Sequence, residues 1–331
     1  MYIVENYALA IFFTVITMIC WGSWQNTQVL VKGWRFELYY WDYVLGILMV
    51  SLIMAFTFGS IGTDGRGFME DFQQADLKNM LFASFGGFIW STGTLLIVAG
   101  IAIAGMSVAF PIGGGIGWIF GIITSYLVRP EGNTVYLFLG TAFILGAIIL
   151  NMISYRRMAK SNKKAPLKGI VISVLAGVCL AFFYSFVARS LDTGSAFESL
   201  GKLTPYTAVV FFSVGALVSA MVFNSFLMAK PVQGSPVGYK DYFKGTFREH
   251  SAGILGGLIF GLGNSLSFMA ANAASPAISY ALSNGAVIVA ALWGILYWKE
   301  FKSAPKGTNL LLTLMFICYL IGLVLVVAAR F

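Results

Sequence analysis

Long apolar stretches alternate with short polar segments along the whole chain. A helix rises 1.5 Å per residue, so about 20 apolar residues are needed to cross the roughly 30 Å of hydrocarbon in a bilayer. Ten stretches meet this length: 7–31, 40–61, 79–103, 106–127, 134–155, 169–190, 204–228, 252–274, 276–298 and 307–329. The pattern therefore predicts an all-α membrane protein with ten transmembrane helices.

The composition supports this class. Of the 331 residues, 59% are hydrophobic and 10% are charged, whereas about 25% of the residues of a soluble domain are charged. The net charge of +8 does not indicate nucleic-acid binding, because the cations lie in loops where membrane orientation and anionic lipid account for them. The chain has one histidine, and each of its three cysteines lies within an apolar stretch. Neither a disulfide framework nor a zinc cluster can form from these residues, so no metal or cofactor is predicted.

The loop cations indicate an orientation. Fifteen of the 21 Lys and Arg residues follow odd-numbered stretches, six of them in the segment 156–168, and the remaining six lie on the other side. Positively charged loops stay in the cytoplasm. We therefore expect a multi-pass protein of the cell (inner) membrane with 156–168 cytoplasmic and both termini outside. The first stretch is too long for a signal peptide, so we expect it to remain as the first helix.

The segment 156–168 also acts as a linker between two halves, 1–155 and 169–331, with five stretches each. Because five is odd, the halves must lie in opposite orientations, which predicts an inverted repeat with a substrate site near the midplane at the interface of the halves. A shift of 170 residues supports the repeat. It places Gly86, Gly87, Ile89, Gly93, Leu96, Ala104 and Gly115 on identical residues at 256, 257, 259, 263, 266, 274 and 285.

Two stretches carry a glycine at every fourth position. Gly113, Gly117 and Gly121 recur in the fourth stretch, and Gly253, Gly257 and Gly261 recur in the eighth. Small residues at this spacing allow close contact between membrane helices. Both tight packing alone and packing that also lets the halves rock are consistent with the spacing.

Polar and aromatic side chains gather near the centres of several stretches. Hydrogen-bonding groups at that depth either join helices or line a cavity, because they need partners within the protein or on a ligand. Tryptophan usually lies at the membrane interface, so the deeper indoles favour a cavity for a flat or ring-shaped polar molecule. The candidate substrate-binding residues are Trp21, Trp24, Gln25, Asn26, Trp90, Thr94, Tyr184, Asn264, Tyr280 and Asn284.

None of the 13 carboxylates falls in the middle of a stretch, so we expect a neutral substrate. The nearest acid is Asp42, which follows Arg35 and Glu37 at the start of the second stretch. These three residues form either a gate or proton relay, or an ion cluster that holds a loop. Asp42 is the first candidate for coupling transport to protons, because its immediate neighbours are aromatic.

The segment 20–43 resembles a known family. Its run CWGSWQNTQ, followed by WRFELYYWDY, resembles the start of the ureide permeases, a branch of the drug/metabolite transporter (DMT) superfamily that also contains bacterial glucose, ribose and rhamnose porters. The resemblance implies a DMT/EamA-like fold and proton-linked uptake of allantoin, uracil and related oxo-heterocycles, through a cavity lined by helices 1, 3, 4, 6, 8 and 9. Plant members carry a long central loop with a Walker A-like motif, whereas 156–168 is short and has none.

The sequence thus predicts a secondary transporter that carries a small neutral ring-shaped metabolite by alternating access, as a monomer or a homodimer in the lipid bilayer. A monosaccharide is an alternative substrate, because sugars also stack on tryptophan and bond to amides. A multidrug or metabolite exporter is a second alternative, which a wide apolar cavity without clustered amides would favour. No group of His, Cys and acidic residues at membrane depth supports an enzyme.

Overall fold

The computed structural model describes the chain except for residues 32, 63, 159–165, 193, 195–196, 198, 303 and 331 and the side chains at 106, 107, 110 and 111. Most of the expected linker 156–168 therefore lies outside the described residues. The described part forms ten long helices: α1 (Tyr7–Val29), α2 (Phe36–Phe56), α3 (Leu77–Ala104), α4 (Met106–Val128), α5 (Thr134–Met158), α6 (Leu167–Ser190), α7 (Pro205–Ala229), α8 (Phe247–Ala274), α9 (Pro276–Tyr297) and α10 (Thr308–Ala328). Two short helices, Phe68–Gln74 and Tyr239–Tyr242, lie in connecting segments.

The described residues contain helices and no β-strand, apart from two isolated bridges. Nine of the ten long helices are long and apolar enough to cross a membrane, whereas α4 contributes a shorter apolar helix, Ile112–Val128. The all-α fold is therefore confirmed in the described part of the chain, and nine of the ten predicted crossings coincide with a helix that could span a membrane. The crossing by α4 stays a prediction.

The joints between α3 and α4 and between α8 and α9 are single residues. Gly105 has φ 84° and ψ 155°, and Ser275 has φ 72° and ψ 152°. This region of backbone conformation favours glycine and is strained for serine. The Ser275 hydroxyl offsets part of the strain because it accepts a hydrogen bond from Ile278 N–H (3.4 Å) at the start of α9. Two residues 170 apart thus share one unusual backbone conformation.

The helices pack in close pairs. Helix α8 packs against α1 and α2, α3 packs against α6 and α7, α4 packs against α6, and α5 packs against α10. In a bilayer such pairs gain little from the hydrophobic effect and depend on close van der Waals contact. Small residues at the crossings therefore decide how near the backbones approach.

Glycine creates this contact between α2 and α8. A Cβ atom added at Gly257 would overlap the carbonyl oxygen of Tyr43, and one added at Gly46 would overlap the carbonyl oxygen of Ile254. The glycine face of α8 continues in both directions, because Gly253 faces Asp42 and Gly261 faces Ile47 and Val50. The glycines spaced four apart in the eighth stretch thus form the face that packs on α2.

Helices α3 and α7 cross in the same manner. A Cβ atom at Gly87 would overlap the carbonyl oxygen of Phe212, and one at Gly215 would overlap the carbonyl oxygen of Ser84. Each crossing therefore has a glycine on both helices, and each glycine faces the backbone of the partner helix.

The connecting segments alternate between two ends of the molecule. The end that we call the basic end carries the described residues of the segments 30–35, 230–246 and 298–307. The opposite end carries Met1 and the described residues of the segments 57–67, 129–133 and 191–204. At the basic end Arg248 donates to the Leu30 carbonyl (3.2 Å), and at the opposite end the Met1 ammonium donates to the Asp64 carbonyl (2.6 Å). The described loops that follow odd-numbered helices therefore share one end.

A buried ion network ties the opposite end together. Arg66 Nε lies 3.0 Å from Asp71 Oδ1, and Arg66 Nη2 lies 3.3 Å from Asp192 Oδ2. Asp71 also accepts a hydrogen bond from Thr204 N–H (2.8 Å). Breaking a buried pair leaves an uncompensated charge and is strongly destabilising. The network thus holds the segment after α2 against the segment before α7.

The glycine crossing gives a stability prediction. Gly257→Ala should lower the free energy of unfolding by roughly 1–3 kcal/mol, because the added methyl group forces α2 away from α8. Thermal unfolding in detergent measures the loss. Gly146→Ala on α5 is the matched control, since no heavy atom lies within 4 Å of the added Cβ and alanine favours a helix. Equal unfolding temperatures for the two variants would contradict a close crossing.

Candidate functional site

Aromatic side chains from α1, α2, α3 and α8 meet in the interior. We call this group the central aromatic cluster, and it consists of Trp21, Trp24, Tyr43, Trp90 and Phe260. The Phe260 ring stacks on Trp90 (centroids 4.5 Å apart, 22° between planes) and on Trp21 (5.7 Å, 10°). Trp24 lies against Tyr43 at 4.5 Å. The three tryptophans predicted from their depth therefore come together, and Tyr43 and Phe260 join them without having been predicted.

Asn264 lies one helical turn beyond Phe260 on α8. Its side chain is fully buried, and neither its Nδ2 nor its Oδ1 has a hydrogen-bond partner among the described residues. Two atoms of the central aromatic cluster are also buried without a partner, Trp21 Nε1 and Tyr43 Oη. An unpaired buried polar group costs about 1–3 kcal/mol. Buried polar groups left without protein partners are suited to bonding a bound molecule.

Tyr184 on α6 and Tyr280 on α9 contact each other, with ring centroids 4.9 Å apart. Their hydroxyl groups have protein partners. The Tyr184 hydroxyl lies 3.0 Å from Ser267 Oγ, and the Tyr280 hydroxyl donates to the Leu180 carbonyl at 3.3 Å. These two predicted residues thus join helices through satisfied hydrogen bonds.

Two further predicted residues bond within their own helices. Thr94 Oγ1 donates to the Trp90 carbonyl (3.0 Å), and Asn284 Nδ2 donates to the Tyr280 carbonyl (2.8 Å). Both side chains are buried. Their polar groups are therefore largely occupied by the backbone one turn before them.

Gln25 and Asn26 line a separate cavity of about 270 Å³ near the basic end. The cavity lies between α1, α5 and α9. The two amides border α5 and α9 at this cavity, whereas the rings of Trp21 and Trp24 contact Phe260 on α8. Asn26 Oδ1 accepts a hydrogen bond from Trp298 Nε1 (2.6 Å). The substrate-binding residues predicted on the first stretch are thus divided between two places.

The same cavity contains a polar residue that sequence reasoning missed. Asn151 on α5 is buried, and its Oδ1 has no hydrogen-bond partner among the described residues. Its depth within the fifth stretch was the available signal, but that stretch carries no second polar residue of this kind. The cavity also borders Tyr155, whose hydroxyl donates to Glu300 (2.8 Å).

The three candidate coupling residues form two groups rather than one. Arg35 and Glu37 make a two-point ion pair, with Nη2–Oε1 at 2.6 Å and Nε–Oε2 at 3.1 Å. Arg35 also donates to the Ser235 carbonyl (2.7 Å). This pair therefore holds the segment 230–238 against the start of α2, whereas Asp42 has different partners.

Asp42 is buried against α8 and the short helix Tyr239–Tyr242. His250 Nδ1 lies 2.9 Å from Asp42 Oδ2, and the Tyr242 hydroxyl donates to Asp42 Oδ1 at 2.6 Å. Two causes raise the pKa of the Tyr242 phenol above its ordinary value: burial, which is the larger, and the neighbouring Asp42 carboxylate. The phenol therefore stays protonated and donates to Asp42. The single histidine is thus the partner of the candidate acid, although they lie 208 residues apart.

Within the described residues, no group of three or more His, Cys, Asp or Glu side chains is arranged to hold a metal ion. The three cysteines are free thiols. The polar chemistry of the described site consists of amides, indoles and phenols in the interior, with the acid–histidine pair nearer the basic end.

Comparison with known proteins agrees with this picture. The family model described as Ureide permease matches residues 39–168 and 146–329. Ureide permease 1 and Ureide permease 2 of Arabidopsis thaliana are each 25% identical to the chain, and each alignment covers 99% of the chain and 99% of the relative. A Streptococcus pyogenes protein named for sugar uptake is 23% identical over 95% of the chain and 97% of its own length.

One solved crystal structure is similar in fold, with a TM-score of 0.60 at 12% identity, covering 98% of this chain and 99% of its own. The family match extends over more than half of the chain and includes α3, α8 and most of α2, the helices that carry Trp90, Phe260 and Tyr43 of the central aromatic cluster. A permease is a membrane transporter and not an enzyme. This chain belongs to the ureide permease family.

Proposed function

We propose that this protein is a secondary transporter for a small, neutral, ring-shaped metabolite with N–H and C=O groups on its edge, such as a ureide or a nucleobase. The unpartnered amide of Asn264, one helical turn from the phenylalanine that stacks on two indoles, carries the proposal. An amide presents a donor and an acceptor side by side, which complements an –NH–CO– edge. Indole faces stack on a flat ring. The names of the Arabidopsis relatives agree with this substrate class.

A monosaccharide is the second candidate. The name of the Streptococcus relative favours it, and the apolar face of a sugar also stacks on indole. A saturated sugar ring is puckered, however, and fits poorly where two near-parallel aromatic planes flank one ring. We therefore rank the flat heterocycle first.

The helix pairs support an inverted repeat of 1–155 and 169–331. Each helix of the first half has a counterpart five helices later, so that α1 corresponds to α6, α2 to α7 and α3 to α8. When every helix is replaced by its counterpart, the α8·α1 pair becomes α3·α6 and the α8·α2 pair becomes α3·α7, and all four pairs are in contact. The glycine contacts agree with this exchange, because Gly257 and Gly46 correspond to Gly87 and Gly215. The joints at Gly105 and Ser275 correspond as well. Repeats of this kind let the halves rock about a site between them, which is the basis of alternating access in the DMT-like arrangement.

We assign the basic end to the cytoplasm and both termini to the outside, because 15 of the 21 cations follow odd-numbered stretches. In this orientation the cavity at Gln25 and Asn26 lies near the cytoplasmic end, where Tyr155, Trp298 and Glu300 line it. The Arg66 network ties connecting segments together at the outer end. We therefore infer that the cavity is the cytoplasmic part of the substrate pathway.

We further propose that protons drive uptake through Asp42 and His250. The two groups lie in contact on α2 and α8, so a proton added to either one changes the attraction between these helices. Tyr242 from the short helix and Tyr39 from the preceding turn of α2 are the other titratable groups that face Asp42. Arg35 is engaged with Glu37 and does not reach this pair.

Substrate class is tested by binding to the purified protein. Calorimetry in detergent with allantoin, uracil, ribose and glucose should detect binding of one of the two flat heterocycles and no comparable binding of either sugar. Binding of a sugar alone would contradict the heterocycle proposal and establish the monosaccharide alternative.

Asn264→Ala should weaken binding of the active heterocycle by about 1–3 kcal/mol, which is roughly 5- to 150-fold in Kd, because an edge group of the ligand loses its partner. Its thermal stability in the absence of ligand should not fall, since an unpaired buried amide has been removed. Asn284→Ala is the matched control, because that amide already bonds to its own helix. Unchanged affinity together with lower stability for Asn264→Ala would show that the residue only joins helices.

Asp42→Asn should abolish accumulation of substrate against its gradient in proteoliposomes, because the proton-binding group is lost. Exchange of labelled for unlabelled substrate should continue, since exchange needs no net proton movement. Glu37→Gln is the control and should retain accumulation. Accumulation that persists in Asp42→Asn would eliminate this residue as the coupling group.

A further inference from the structure

Phe260 fills the centre of the aromatic cluster. The residue lies on α8, in the second half of the chain, and its ring contacts aromatic residues that all belong to the first half. It stacks on Trp21 and Trp90 with planes 10° and 22° from parallel, and it lies 5.9 Å from the Tyr43 ring. Only 5% of Phe260 is exposed. The ring thus joins the two halves where the indoles would otherwise face an open space.

At the centre of the cluster the aromatic rings stack closely, but several polar atoms there lack hydrogen-bond partners. Phe260 offers no polar atom, yet Trp21 Nε1, Tyr43 Oη and both amide atoms of Asn264 have no partner among the described residues. Each polar group left unpaired in the interior costs free energy, because it has lost its hydrogen bonds to water and gained none in the protein. A flat ring with N–H and C=O groups could keep the stacking contacts and also pair these atoms.

We propose that Phe260 occupies the place of the substrate ring in the empty transporter, and that substrate enters by displacing it. The inference rests on the function proposed above, and it adds that the empty site is closed by a side chain of the protein itself. The ligand class is a flat six- or five-membered ring with at least one adjacent N–H and C=O pair. Asn264, one turn from Phe260 on the same helix, would then bond to the edge of that ring.

Displacement has a cost that sets the affinity. The substrate must replace two aromatic stacking contacts of Phe260 before it gains its own. If the Phe260 ring fills the site most of the time, only the small open fraction of the protein can bind substrate, and the apparent affinity for substrate falls in proportion to that fraction. Removing the ring should therefore strengthen binding, whereas removing an ordinary contact residue weakens it.

Phe260→Ala provides the test. We expect uracil or allantoin, whichever binds the wild type, to bind Phe260→Ala about tenfold more tightly by calorimetry. The variant should also release substrate more slowly in proteoliposome exchange, because no side chain returns to displace it.

Phe268→Ala is the matched control. Phe268 is the same residue type two turns further along α8 and is fully buried, but it packs edge-on against Tyr184 and Phe212 instead of stacking on indoles. We expect no gain in affinity for this variant. If Phe260→Ala does not fold, Phe260→Leu keeps most of the volume without a flat ring, and it should also bind more tightly than wild type.

Weaker or unchanged binding by a folded Phe260 variant would overturn the proposal, because Phe260 would then be a contact residue or a packing residue. A similar gain in Phe268→Ala would overturn it too, since the effect would be a general loosening of the helix. The substrate proposal fails separately, through the absence of heterocycle binding to the wild type and to every variant.

Discussion

The close approach of α8 to α2 is the constraint on which the interior site depends. Gly46 and Gly257 bring the two backbones into contact, and this contact carries Phe260 and Asn264 into the space between α1 and α3. Lipid provides no hydrophobic driving force for contact between helices, so van der Waals packing must hold α8 against α2. A bulkier residue at either glycine would separate α8 from the helices whose aromatic rings it meets.

Hydrogen-bond satisfaction distinguishes structural residues from candidate binding residues in this interior. Tyr184 and Tyr280 lie deep and are polar, but their hydroxyl groups already bond to neighbouring helices. Asn264 is equally deep, and its amide has no described partner. Depth alone cannot separate these cases, because each residue is a polar group in an apolar stretch. The distinction follows from the direction of each side chain around its helix, which brings the tyrosine hydroxyls to a carbonyl group or hydroxyl and leaves the Asn264 amide without one.

The sequence predicted what depends on local pattern and missed what depends on contacts between distant segments. Length and apolarity located the helices, and the spacing of glycines predicted the packed face of α8. The split of Trp24 from Gln25 could not be foreseen, because adjacent residues share a depth but face different helices. The pairing of Asp42 with His250 was also missed, since nothing near either residue in the chain indicates the other. The ureide permease family suggested by the resemblance at 20–43 was confirmed by a family match that begins at residue 39 and extends to residue 329.

Helix α8 offers a physical link between the proposed proton and substrate sites. His250 and Asn264 are 14 residues apart on this continuous helix, about 21 Å at 1.5 Å per residue. A shift of α8 along α2 would therefore move His250 relative to Asp42 and Phe260 relative to Trp90 at the same time. Coupling between two sites is reciprocal. If protonation of the Asp42–His250 pair favours the position of α8 that opens the aromatic cluster, substrate in that cluster must raise the proton affinity of the pair by the same factor.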